Sequence, residues 1–258
     1  MAAFRPDGDG MNEYKDNTSG IELKIRRVKY RSYTIGSTFS LGSDTLDALI
    51  SVLEQPPDRK PECLEGRSVP GFISIPEAGP VVVKFYKRGG WLANFNRERY
   101  LKIFKTRSEK EFEFLFLAGR AGVSVPVPVA FISRGGPFYR AWLVTKAVPN
   151  PVSFMRLCRD EKEKALALLP AISCQIGLLI EKGIHHVDLH PGNILVGGNG
   201  TPYFIDFDKT RYCASSRTGL ARKYQHRWAK AVRKYSLPAI YGYLNLTEID
   251  RPGRPCYR

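Results

Sequence analysis

Asp188, Asn193 and Asp206 are three polar residues set among short apolar runs in the stretch from Gly183 to Arg211, GIHHVDLHPGNILVGGNGTPYFIDFDKTR. Two carboxylates and one amide oxygen are hard ligands suited to Mg²⁺, a cation that keeps waters and substrate phosphates in its shell. To act together the three must converge, and the flanking residues supply a means. Ile194, Leu195 and Val196 read as one strand and Tyr203, Phe204 and Ile205 as another, with Gly197 to Pro202 as a turn rich in Gly and Asn. A hairpin brings both its ends to one edge, so Asp188 and Asn193 on the entering loop can meet Asp206 at the exit. The alternative is a hairpin whose solvated acids fall at these positions by chance.

His186-Val187-Asp188-Leu189-His190-Pro191-Gly192-Asn193, followed by Asp206-Phe207-Asp208, resembles the catalytic loop and metal-binding motif of the protein-kinase-like fold. By that resemblance Asp188 is the catalytic base that orients the acceptor hydroxyl. Asn193 and Asp206 hold the Mg²⁺ ions that bridge the nucleotide phosphates of ATP. His186 is implied to brace the loop through backbone bonds, and His185 to serve packing or to face solvent. His185, His186 and His190 lie close enough to suggest zinc, but the kinase register accounts for them without soft ligands.

The elements that must position these groups can be read outward from the motif. Val81 to Tyr86 is a strong strand carrying Lys84, where the kinase register places the phosphate-anchoring lysine. The next helix is expected from Ser108 as N-cap, with Glu111 three residues on in a capping-box pattern. Glu111 either caps that helix or forms the ion pair of the fold with Lys84. Gly66 and Gly71 bound a loop that could cradle phosphates through its amides or be a plain turn. It does not match the full GxGxxG pattern. The segment Lys146 to Val148, before Pro149 and Pro151, is expected to meet the adenine ring with its backbone, the prolines forming the hinge between lobes. Asp160 is expected to cap a long apolar-faced helix to Lys182, kinked or split at Pro170.

Only 47 residues follow Arg211, and no Ala-Pro-Glu follows Asp206, which leaves too little chain for the activation segment and lower helices of a protein kinase. A helix from about Arg217 to Tyr235 is expected instead. Leu220, Tyr224, Trp228, Ala231, Val232 and Tyr235 line one side, and Arg222, Lys223, Arg227, Lys230, Arg233 and Lys234 the other.

The net charge of +15 is unevenly spread. Lys209 to Arg258 holds twelve Lys and Arg against two acids, and Lys84 to Arg107 eight against one. Such patches attract nucleic acid, an anionic membrane leaflet or a phosphorylated substrate. No run approaches the roughly 18 apolar residues of a membrane span, and the N-terminal residues lack the apolar core of a secretory signal. The five scattered cysteines fit free thiols in a reducing compartment, with Cys174 as a small buried side chain.

A narrower resemblance lies outside the general motifs. Val82 to Gly90, Arg99-Tyr100, Thr106-Arg107-Ser108, Glu111-Phe112 and Gly122 to Pro126 are similar to the lipopolysaccharide kinase family, and most of all to its Kdo (3-deoxy-D-manno-octulosonic acid) kinases. Asp208, where protein kinases carry Gly, also suits that branch. Lys146 departs from it, since an acid is usual there, and so does His190. The resemblance implies an α+β, bilobal protein-kinase-like fold with a truncated, mostly helical C-lobe. Its parts are a disordered lead-in over residues 1–20, an N-lobe over 21–148 and a C-lobe over 149–258. It implies a phosphotransferase that uses ATP and Mg²⁺ to phosphorylate a Kdo hydroxyl of the lipid A-linked inner core. The enzyme would be a cytoplasmic, peripheral monomer on the anionic inner-membrane surface, with no nucleic acid as partner. Other readings are a heptose kinase of the same core, an atypical small-molecule or protein kinase, and a dead binding module. The intact Lys84, Asp188, Asn193 and Asp206 argue against the last.

Overall fold

The computed structural model describes residues 10–15, 22–54, 71–86, 100–101, 105–136 and 138–246. It divides into two compact units, one built from Met1–Glu62, Gly66–Phe112 and Pro128–Ala147, the other from Cys63–Glu65, Glu113–Val127 and Val148–Arg258.

The first unit is a sheet because its chain alternates. Leu23 and Ile25 are buried while Lys24 between them is exposed, the period of two that a half-buried strand requires. Its elements are β1 (Gly10–Lys15), β2 (Glu22–Tyr30), β3 (Tyr33–Ser37), α1 (Ser43–Glu54), β4 (Gly71–Ile75), β5 (Gly79–Phe85), β6 (Tyr100–Leu101), the start of α2 (Arg107–Arg120), β7 (Pro128–Gly135) and β8 (Phe138–Lys146). The strands pair antiparallel in the order β1-β2-β3-β7-β8-β5-β4, with β6 on β8. Strand β1 corrects the expectation of a disordered lead-in over residues 1–20. It pairs with β2 from Gly10↔Arg27 to Lys15↔Glu22, and backbone pairing on a free sheet edge needs no apolar run to announce it.

Helix α1 covers the sheet with Leu46, Leu49, Ile50 and Leu53, which pack with Ile35, Val81, Val83, Ile132 and Val144. Each such side chain contributes about 1.5–3 kcal/mol on full burial. Glu77, in the β4–β5 turn, holds the start of α1 by accepting from Gly42 N at 2.8 Å and Thr45 Oγ1 at 2.6 Å. Partial burial works against that carboxylate, but these bonds outweigh it and hold its pKa below the usual range.

The second unit is mostly helical. It contains the rest of α2, then β9 (Val152–Ser153), α3 (Phe154–Asp160), α4 (Lys162–Glu181), β10 (Ile184–His185), β11 (Ile194–Val196), β12 (Pro202–Phe204), β13 (Arg211–Tyr212) and α5 (Arg217–Lys234). Strands β12, β11 and β9 form one small sheet, and β10 pairs with β13. The fully buried Gln175 of α4 ties the unit together. It accepts from Ser124 N at 2.8 Å and donates to Pro202 O at 3.0 Å.

Three expectations about α4 are corrected. Asp160 closes α3 and takes Arg156 at 3.3 Å instead of capping α4, whose N-cap Glu161 has no side-chain cap bond. Of the kink or split expected at Pro170, the split does not occur, since α4 runs through the proline. The proline is exposed and Leu166 only half-buried, so the carbonyl that Pro170 leaves without a donor can turn to water. By length and composition α4 also qualifies as a membrane span, although Ile172, Ile176, Leu179 and Ile180 are buried within its own unit.

The thiol expectation fails at Cys174, which is half-buried and disulfide-bonded. Cys158 and Cys213 are free.

Candidate active site

In the first unit, Lys84 sits on β5 opposite Leu143 of β8, with strands on both sides. Its ammonium lies 2.9 Å from both carboxylate oxygens of Glu111 on α2. Glu111 is 1% exposed and also accepts from the Tyr86 hydroxyl. The carboxylate is therefore engaged by the strand and does not cap the helix. The capping group is Thr106 Oγ1, which accepts from Glu109 N at 3.2 Å; Ser108, expected as the cap, lies inside α2 and donates to Ile132 O at 3.4 Å. A threonine just upstream offers the same acceptor as the serine and is better placed for the first turn.

Of the candidate phosphate-loop glycines, Gly66 lies outside the described residues. Gly71 is within β4, opposite Val83, where a Cβ would come within 2.7 Å of Val52 Cγ1. Close packing of α1 on the strand thus accounts for this glycine. Lys146 ends β8 opposite Val81, with its ammonium 5.8 Å from the centre of the Phe39 ring. Val148 belongs to the second unit and is buried.

In the second unit the expected hairpin forms, with Ile194 opposite Phe204 and Val196 opposite Pro202. Its entry is a 3₁₀ turn, Pro191–Asn193, whose His190 cap accepts from Gly192 N at 3.0 Å through Nδ1. Asn193 donates from its side-chain nitrogen to the Asp188 carbonyl at 2.9 Å, and Ile205 N donates to the Asn193 carbonyl at 3.0 Å. These bonds gather the three motif residues. Because its amide nitrogen is engaged, Asn193 presents its amide oxygen as the remaining ligand atom, as a hard cation requires. Asp206 follows in a left-handed conformation (φ 65°), which turns the chain sharply at the hairpin exit. The donor set of one carboxylate and one amide oxygen fits Mg²⁺ that completes its shell with phosphates and water. No group of three or more His, Cys, Asp or Glu suited to a metal occurs among the described residues.

His186 is buried beneath this loop. Its Nε2 lies 3.0 Å from Ile205 O, and a carbonyl can only accept, so Nε2 carries the proton. Burial drives its pKa down and keeps the ring neutral. His185 is also buried, its ring edge-on to Tyr224.

Two residues missed in the sequence act on Asp188. Lys209 Nζ lies 3.3 Å from Oδ2, and the Arg227 guanidinium of α5 bonds Oδ1. Burial pushes the Asp188 carboxyl up, but Arg227 and Lys209 outweigh it and hold the pKa below the usual carboxylate value. Arg227 was expected on the outer face of its helix. At 100° per residue it lies only roughly 20° from Leu220, at the margin of the apolar stripe, and that angle was the available signal.

An α+β chain with a strand lysine paired to a helix glutamate, and an Asp–Asn–Asp loop at a hairpin, has the parts of the kinase-like class. The chain belongs to the lipopolysaccharide kinase (Kdo/WaaP) family, whose model matches residues 62–233. Among its relatives is a 3-deoxy-D-manno-octulosonic acid kinase of Vibrio vulnificus strain YJ016, 31% identical over 147 residues, 56% of this chain and 61% of that protein. One from Xylella fastidiosa strain M23 is 31% identical over 193 residues, 72% of each chain. The chain thus spans about three fifths of the length of the Vibrio relatives it matches. A crystal structure of monomeric WbdD matches at 21% identity and a TM-score of 0.40, covering 62% of this chain and 35% of that one.

Proposed function

We propose that this chain transfers the γ-phosphate of ATP to a hydroxyl of 3-deoxy-D-manno-octulosonic acid on the lipid A-linked inner core. The observation that carries the reading is the loop in which Asn193 fastens the Asp188 backbone while its own oxygen stays available as a ligand. It is supported by family membership and by relatives named for this activity.

Asp188 accepts a hydrogen bond from the sugar hydroxyl and aims its oxygen at the phosphorus. Its lowered pKa makes it an orienting group more than a strong base, and that suffices where the transition state is loose. Asn193 and Asp206 hold Mg²⁺, which supplies neutralisation of the phosphate charge. Lys84, fixed by Glu111, binds a nucleotide phosphate. The exposed Arg222, Lys223, Lys230, Arg233 and Lys234 of α5 suit the anionic inner leaflet on which a lipid-linked acceptor resides.

The test is transfer of radiolabelled phosphate from ATP to Kdo-lipid A precursor, with heptosylated core and a protein panel alongside. Label on the Kdo sugar is expected. Asp188→Ala should abolish transfer and retain nucleotide binding, whereas Asp206→Ala should lose Mg²⁺-dependent binding as well. Full activity in both variants, or label on protein alone, refutes the assignment.

A further inference from the structure

Asp188 carries one negative charge, yet two cations converge on it. Arg227 takes Oδ1 and Lys209 takes Oδ2, leaving a local sum of +1 on these three side chains. Holding a carboxylate still requires one such partner. Each carboxylate oxygen has a second lone pair, so Asp188 can accept a substrate hydroxyl while both cations remain in place. A guanidinium has five N–H donors and an ammonium three, more than a single carboxylate can use. The Arg227 side chain is 26% exposed and that of Lys209 64%, so both can be reached from solvent.

We infer that Lys209 and Arg227 form the seat for the carboxylate of the acceptor sugar, so that the second unit recognises a sugar acid and not merely a sugar. The inference rests on the proposed sugar-kinase function and adds its specificity residues. A hydroxyl held by Asp188 brings the rest of its ring beside the two cations. An acid group on that ring is then bound by charge-assisted bonds, which are about twice as strong as neutral ones. A neutral hexose would leave the seat without an anion from the substrate.

The experiment compares Kdo-lipid A precursor with its Kdo carboxamide, in the full chain and in Arg227→Gln and Lys209→Gln. The unmodified chain is expected to favour the acid roughly 10- to 100-fold in kcat/KM, mostly through KM. Either variant should slow both acceptors by a common factor, because each cation also holds Asp188, and should slow the acid further, so that most of the preference is erased. Equal loss on both acceptors overturns the seat and leaves the two cations as orienters of Asp188. A preference that follows the lipid phosphates, tested with dephosphorylated precursor, also overturns it. Should Arg227→Gln fail to fold, the exposed Lys209→Gln decides the matter alone. If the unmodified chain phosphorylates neither acceptor, the kinase reading falls. Calorimetry with free Kdo and its amide then decides the seat separately, tighter acid binding supporting it and equal binding refuting it.

Discussion

The Tyr224 hydroxyl joins α5 to the chain entering the catalytic loop. It accepts the His186 backbone N–H at 2.8 Å and donates to the Ile184 carbonyl at 2.8 Å. The side chain is fully buried, and that burial pushes the phenol above its ordinary pKa, so it stays protonated and able to serve both roles. Tyr224→Phe keeps the ring but leaves a buried N–H and a buried carbonyl unmatched. A loss of about 1–3 kcal/mol is expected in urea unfolding. An unchanged midpoint would show that water replaces the hydroxyl.

A second consequence concerns the Lys84–Glu111 pair. Glu111→Gln preserves volume and can still accept from Tyr86 and Lys84, but removes the charge that fixes the ammonium. It should weaken kcat/KM for ATP roughly 10- to 100-fold, the worth of a hydrogen bond to a charged group. Lys84→Met should cost more, because it removes the cation itself and leaves a buried carboxylate with less compensation. Steady-state kinetics at varied ATP checks both, and an ATP KM unchanged in the two variants would remove Lys84 from the nucleotide site.

The parts of the site that could be read in the sequence are those fixed by short separations. The turn between Val196 and Pro202 sets a hairpin register, and the five residues from Asp188 to Asn193 make a loop that closes on itself. Lys84 and Glu111 were legible because each stands on a strongly patterned element. What escaped depends on partners remote in the chain. Arg227 reaches Asp188 across 39 positions; its angle at the margin of the apolar stripe sets it apart from the solvated arginines beside it but does not name its partner. Thr106 displaced Ser108 as the cap because two neighbouring hydroxyls offer the same chemistry and only backbone geometry selects between them. Strand β1 borrows its stability from the edge of β2.

Cys158 and Cys213, the free cysteines among the described residues, should part company under alkylation. Cys213 Sγ lies 3.3 Å from Lys223 Nζ, and hydrogen bonds from Ser215, aided by that lysine, lower its pKa to about 7. Burial raises Cys158 to about 12. Thiolate is the reactive form, so a lowered pKa means reaction begins at lower pH. Iodoacetamide labelling followed by mass spectrometry should give a midpoint near 7 for Cys213 and negligible labelling of Cys158 in the folded chain. Lys223→Met should move the Cys213 midpoint upward. A midpoint near that of an ordinary thiol in the unmodified chain would contradict the environment described.

Gly36 faces Phe131 across the β3–β7 pairing, and the Phe131 ring lies over the place where a side chain at position 36 would stand. The ring has no easy retreat. Phe112 meets it edge-on with centroids 5.3 Å apart, and the Arg27 guanidinium lies 5.2 Å from its centre, itself anchored to Glu109 at 2.5 Å. Gly36→Ala should therefore destabilise the chain by about 1–3 kcal/mol, the usual range for overpacking, despite alanine's lower backbone entropy cost. Phe131→Leu alone should also destabilise, by opening space beside Phe112. If steric conflict is the cause, the double variant recovers part of the summed loss, because the smaller side chain makes room for the methyl. Denaturation of the four proteins in a double-mutant cycle measures that coupling. Strict additivity would mean that the ring moves aside freely and that Gly36 is there for some reason other than the aromatic packed on it.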